Sequence, residues 1–96
     1  MDDKKNKWTT YKEVQADCLD LAQRKHADYG NDSIGMTGVE GIIIRMVDKI
    51  CRLNTIRKNG KMEVKEESVE DTLKDIVNYA TYGLILLSDP NIWYKE

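Results

Sequence analysis

Proline occurs once in this chain, at Pro90. Its ring removes a backbone donor and clashes with the preceding turn, so proline is the surest helix breaker. Nothing before Pro90 imposes such a break, and long helices are open to almost the whole sequence. Three [ST]-x-x-[DE] pairs supply their starts: Thr10 with Glu13, Thr37 with Glu40, and Ser68 with Asp71. In each, a hydroxyl caps the third amide while the acid reaches back to the first. They predict helices over about Tyr11–Tyr29, Val39–Lys58 and Val69–Leu87.

Helical periodicity sorts the faces. The first helix places Val14, Cys18, Leu21 and Ala22 together, and Gly30 offers a left-handed stop. The second carries a stripe of Val39, Ile42, Ile43, Met46, Ile50 and Leu53, with Arg45, Asp48, Arg52 and Thr55 opposite. The third assigns Val69, Leu73, Ile76, Val77, Ala80, Leu84 and Leu87 to the core, and Glu67, Asp71, Asp75, Asn78 and Tyr82 to the far side. On that reading the acid side is not the core side. Residues 31–37 read as a polar loop with Gly35 as its flexible point. Asn59-Gly60 reads as a C-cap followed by a linker, or as a hairpin turn with Lys61–Val64 returning as a strand.

The expected class is all-α, three main helices in a small bundle. The divisions are a tail over 1–9, one helical domain over 10–88 and a tail over 89–96, in which Trp93 and Tyr94 dock on the fold or on a neighbouring chain. Ninety-six residues, 41% of them hydrophobic, build only a small core, so homo-oligomerisation is expected to complete the bundle. Ile85 and Leu86, on the otherwise polar side of the third helix, mark the subunit contact. The net charge of −2 argues against a coat for duplex nucleic acid. No apolar run reaches the length of about 18 residues that spans a membrane, and the charged start lacks a signal-peptide core; a cytoplasmic protein is expected. Two cysteines, Cys18 and Cys51, and one histidine, His26, form neither a disulfide framework nor a zinc motif, and the cysteines read as small core residues.

The small net charge conceals segregation. From Arg45 to Lys61 there are six basic residues and one acid; from Glu63 to Asp75, six acids and two lysines. One reading is purely structural: Asp48 bridges Arg45 and Arg52 on its own helix, and the basic and acidic helices attract. A sharper reading takes Glu67, Asp71 and Asp75, stacked at i,i+4, as needing a cation. With Asp48 they would make an oxygen-ligand site for Mg²⁺, freeing Arg45, Lys49 and Arg52 to grip phosphate oxygens. Asp71 ranks below Asp75, because it also serves as the capping partner of Ser68. Lys25, Tyr29 and Asn31 form a second polar and aromatic concentration, suited to stacking on and bonding to a base under a lid formed by the loop through Gly35. Asn78 continues the acid line and joins these nucleotide-binding candidates.

Three segments, Lys25–Asn31, Arg45–Leu53 and Glu67–Ala80, resemble the small helical nucleotide-modification-associated domain family of bacteriophages and prophages, a likeness extending over residues 10–87. It implies phage origin, a bacterial host cell and a link to nucleotides. A second resemblance is to the all-α nucleoside triphosphate pyrophosphohydrolases of the MazG and dimeric dUTPase kind, which hold Mg²⁺ on paired ExxE and ExxD motifs. Arg45–Asp48 aligns with the first motif, and Thr72–Asp75 or Ser68–Asp71 with the second; only the final acid of each is present. Three functions follow: a Mg²⁺-dependent pyrophosphohydrolase, a nucleotide-binding sponge that sequesters a cyclic nucleotide immune signal, and a structural helical oligomer.

Overall fold

In the computed structural model the described residues are 5–29, 32–60 and 68–94. They form α1 (Lys7–Tyr29), α2 (Asp32–Asn59), α3 (Val69–Ser88) and a short 3-10 turn over Ile92–Tyr94. No strand occurs among them, and the all-α expectation holds. The return strand considered for Lys61–Val64 lies outside the described residues. The chain divides into two compact units, Met1–Gly30 and Asn31–Glu96.

In the first unit, α1 starts about a turn earlier than Thr10 predicts, because Asn6 is the better cap. Its Oδ1 accepts from the amides of Trp8 and Thr9, both at 2.9 Å, and Asn leads the N-cap preferences. Glu13, freed from the expected box, takes the Lys5 ammonium at 2.9 Å. Trp8 lies on Tyr11 with ring centroids 5.9 Å apart, both exposed. Of the expected face, Cys18 is buried, Leu21 and Ala22 are half-buried and Val14 is exposed.

In the second unit, the expected loop over 31–37 is helical from Asp32 onward, and no lid forms over those residues. The break falls instead at Gly38, with φ 66° and ψ −156°, a region open essentially to glycine alone. Thr37 is therefore no N-cap: its hydroxyl donates to the Ser33 carbonyl at 2.6 Å, one turn back. Gly60 closes α2 at φ 74°, its amide bonding the Ile56 carbonyl at 2.9 Å. This is the C-cap reading of Asn59-Gly60. Helix α3 starts as the sequence predicts, with the Ser68 hydroxyl accepting from the Asp71 amide at 3.0 Å. It ends where Asp89 and Pro90 turn the chain, and Trp93 folds back to meet the Tyr82 ring edge-on at 5.1 Å.

Helices α2 and α3 run antiparallel, because Ile42 lies at Gly83 while Lys49, two turns on, lies at Asp75. Their contact reverses the faces assigned to α3 but only part of the stripe assigned to α2, where Val39, Ile42, Met46 and Leu53 are buried or half-buried as expected. The buried residues of α3 are Thr72, Asp75, Asn78, Gly83 and Leu86, whereas Val69, Leu73, Leu84 and Leu87 are exposed. On α2, Ile42 is buried, Arg45, Met46, Lys49, Arg52, Leu53 and Ile56 are half-buried, and Ile43, Ile44, Val47 and Ile50 are exposed. Hydrophobic periodicity finds an apolar side but does not say what that side meets. The polar side is buried with its groups paired. Two further expectations change accordingly. Leu86 is buried and Ile85 half-buried, so they offer no subunit contact, and Cys51 is exposed rather than in the core.

Candidate functional site

The α2/α3 seam is built at the spacing i, i+3, i+7, i+10 on α2, which brings Ile42, Arg45, Lys49 and Arg52 to one side. At its centre the Lys49 ammonium meets the Asp75 carboxylate at 3.1 Å, the side chains retaining 18% and 9% of their exposure. A pair this enclosed loses much of its hydration, and its attraction does little more than offset that loss. Thr72, one turn before Asp75, is fully enclosed, and its hydroxyl donates to the Ser68 carbonyl at 2.8 Å. Asn78 is buried one turn after it, and both Asn78 and Arg52 are engaged by neighbouring groups. The middle of the seam is thus polar, while Ile42 and Leu86 are buried apolar residues of the same two helices.

Arg45 reaches back along α2 across the Gly38 break, donating to the Ser33 hydroxyl at 3.0 Å and to the Thr37 hydroxyl at 3.3 Å. Gly41 makes this possible, since a Cβ there would run into the Thr37 side chain. The guanidinium is held by neutral hydroxyls, leaving its charge uncompensated by them. Further along α3, Tyr79, Tyr82 and Trp93 form an edge-on aromatic run, with Tyr79 and Tyr82 centroids 6.3 Å apart. Burial, then the neighbouring Tyr79 and the negative charge of Asp75, push the Tyr82 phenol above its ordinary pKa. Sequence reading set Tyr82 on the Asp75 side of α3 but missed Trp93 as its ring partner. The spacing of Tyr79 and Tyr82 was visible, but the return of the chain after Pro90 was not.

Of the residues singled out from sequence, Arg45, Lys49, Arg52, Asp75 and Asn78 are brought to this hairpin side. Asp48 and Asp71 are exposed. Lys25 is exposed on α1, while the Tyr29 side chain and all of Asn31 and Glu67 lie outside the described residues. Among the described residues no group of three or more His, Cys, Asp or Glu side chains comes together as a metal site. Asp75, the acid best placed to hold Mg²⁺, faces a lysine.

A family model described as nucleotide modification associated domain 1 matches residues 25–87. The chain belongs to that family. The match takes in all of the α2/α3 hairpin of this nucleotide modification associated domain, while most of α1 precedes it. The likeness to the MazG-type pyrophosphohydrolases gains no support from the comparisons. No curated protein and no solved structure matches the chain. Among the described residues no helix is long and apolar enough to cross a membrane.

Proposed function

We propose that this domain binds a nucleotide or nucleotide-derived molecule through the α2/α3 hairpin and does not hydrolyse it. The observation that carries the reading is Arg45, held on the two hydroxyls of Ser33 and Thr37 within the family-matched segment. Its planar fork suits phosphate oxygens bidentately, and a phosphate can take over donors now spent on neutral hydroxyls. Arg52 lies two turns further along the same side of α2. Hydrolysis is disfavoured because Asp75 is already neutralised by Lys49; no chemical step is assigned to it. Sequestration, in an infected bacterial cell if the phage resemblance applies, is the role that binding without turnover would serve.

The test is a thermal-shift screen of nucleoside mono-, di- and triphosphates and cyclic nucleotides, with and without Mg²⁺, followed by chromatography of the recovered ligand. Stabilisation with the ligand intact is expected, and Arg45→Ala should weaken affinity by roughly 10- to 100-fold, the loss of charge-assisted hydrogen bonds. Mg²⁺-dependent cleavage would overturn the non-catalytic reading, and no shift with any nucleotide would overturn binding itself.

A further inference from the structure

We propose that the aliphatic side of the α2/α3 hairpin is a self-association surface, on which a second copy of this chain docks about a two-fold axis to form a four-helix bundle. On α3 the exposed side carries Leu73, Ala80 and Leu87 at intervals of seven, with Val77 and Leu84 interleaved. On α2, Ile43, Val47 and Ile50 follow the same four-then-three alternation. That spacing is the seam of helices packed nearly parallel or antiparallel to other helices; it fits a helical occupant better than a loop, a membrane or a small ligand. Because α2 and α3 are antiparallel and each stripe lies about a third of a turn from the inner contact, both stripes emerge on the same side of the hairpin.

The occupant is identified by what continues the α2 seam. Glu40 precedes Ile43 by three residues and Arg57 follows Ile50 by seven, so the stripe is acidic at its N-terminal end and basic at its C-terminal end. A two-fold axis crossing α2 between Val47 and Ile50 lays α2 antiparallel on its own copy. Glu40 then stands level with Arg57 of the second copy, and Val47 with Ile50 of the second copy. Such self-complementarity is the requirement of an isologous interface. The side chains Ile43, Val47, Ile50, Leu73 and Leu84 each keep about half or more of their exposure, apolar surface of the kind that a stable interface removes from water. This inference stands apart from the nucleotide reading, since it uses none of the residues assigned to phosphate or base.

Sedimentation equilibrium of the full chain should give twice the mass of one copy at micromolar concentration. Val47→Glu and Leu84→Glu should each weaken association by roughly 100-fold or more, because the symmetric interface buries the new charge twice. Far-ultraviolet circular dichroism on the same samples reports whether the helices persist. Arg57→Glu alone should weaken the pair, and Glu40→Arg combined with Arg57→Glu should restore it, a rescue that a general loss of folding would not produce. A one-copy mass for the unmodified chain overturns the proposal and assigns the face to α1 or to a different protein. A two-copy mass insensitive to both glutamate variants, with helicity retained, overturns it equally, because the interface would then lie elsewhere.

Discussion

At the middle of the α2/α3 hairpin, the inner and outer sides differ in the opposite sense to the usual globular arrangement. The inner side joins the helices through Lys49 and Asp75, with Thr72 and Asn78 enclosed beside them. The outer side displays isoleucine, valine and leucine. An aliphatic contact would be the simpler way to hold two helices together, since replacing a buried ion pair with well-packed hydrophobic groups is often neutral or stabilising. A polar middle to the seam with an aliphatic exterior fits the two proposals, which keep their tasks apart: binding of a charged ligand along the seam, and attachment to a second copy on the outside.

The sharpest way to break this comparison is to remove half of the ion pair. Asp75→Ala removes the carboxylate that the largely enclosed Lys49 ammonium meets, and should cost about 3 kcal/mol of unfolding free energy. Urea denaturation followed by circular dichroism measures this. The double variant Lys49→Met with Asp75→Leu removes both charges and should recover most of that loss or exceed it. A double variant as unstable as Asp75→Ala would mean that the pair holds the helices together, and the argument for a seam retained for recognition would fail. Nucleotide binding by a stable double variant would show separately that Lys49 and Asp75 are dispensable for the ligand.

Adjacent isoleucines sharpen the same contrast. Ile42 retains 2% of its exposure and Ile43 51%. Ile42→Ala empties a buried site facing Gly83 and should cost about 2–3 kcal/mol, toward the lower end for such truncations because so small a core can relax around the gap. Ile43→Ala should leave the folding of one copy within about 0.5 kcal/mol of its original value. Its larger effect should appear as a weaker association constant, and therefore as a melting temperature that depends more steeply on protein concentration. Thermal scans over a dilution series separate the two; equal, concentration-independent losses at both positions would remove the distinction between the faces.

How much of this was legible in the sequence depends on whether a signal is local. The Ser68 cap, the Gly60 stop and the turn at Pro90 were readable, because each is decided within a few residues. The Thr10 and Thr37 caps were misread for the same kind of reason: Asn6 competes for the start of α1, and the Gly38 break lets the preceding turn remain helical. The α3 stripe was correctly seen as apolar, and Val69, Leu73, Leu84 and Leu87 were wrongly placed inside, since periodicity does not say which side the neighbouring helix covers. Among the site residues, the charge segregation between Arg45 and Asp75 correctly announced contact between the basic and acidic helices. That Lys49 would be the partner of Asp75 required the register of the hairpin, which no local signal fixes. Arg45 holding Ser33 and Thr37 was hidden by reading residues 31–37 as a loop.

The smallest expected effect is the pH dependence conferred by Tyr82, which joins the polar seam to the aromatic run ending at Trp93. Its phenol is raised above the ordinary value of 10.0, by burial first and then by Tyr79 and Asp75, so the folded chain holds this proton more tightly than the unfolded chain does. The stabilisation is present below the unfolded pKa and is lost as pH rises through the folded one, because the unfolded state then binds fewer protons than the native state. Stability should therefore fall above about pH 10, and Tyr82→Phe should flatten part of that fall without altering stability near neutrality by more than a modest amount. Tyrosinate absorbance during alkaline titration, compared between the unmodified chain and Tyr82→Phe, identifies the late-titrating phenol. If the two difference curves show Tyr82 ionising with the exposed tyrosines, it is open to water rather than enclosed beside Asp75, and the enclosed polar seam must end before reaching it.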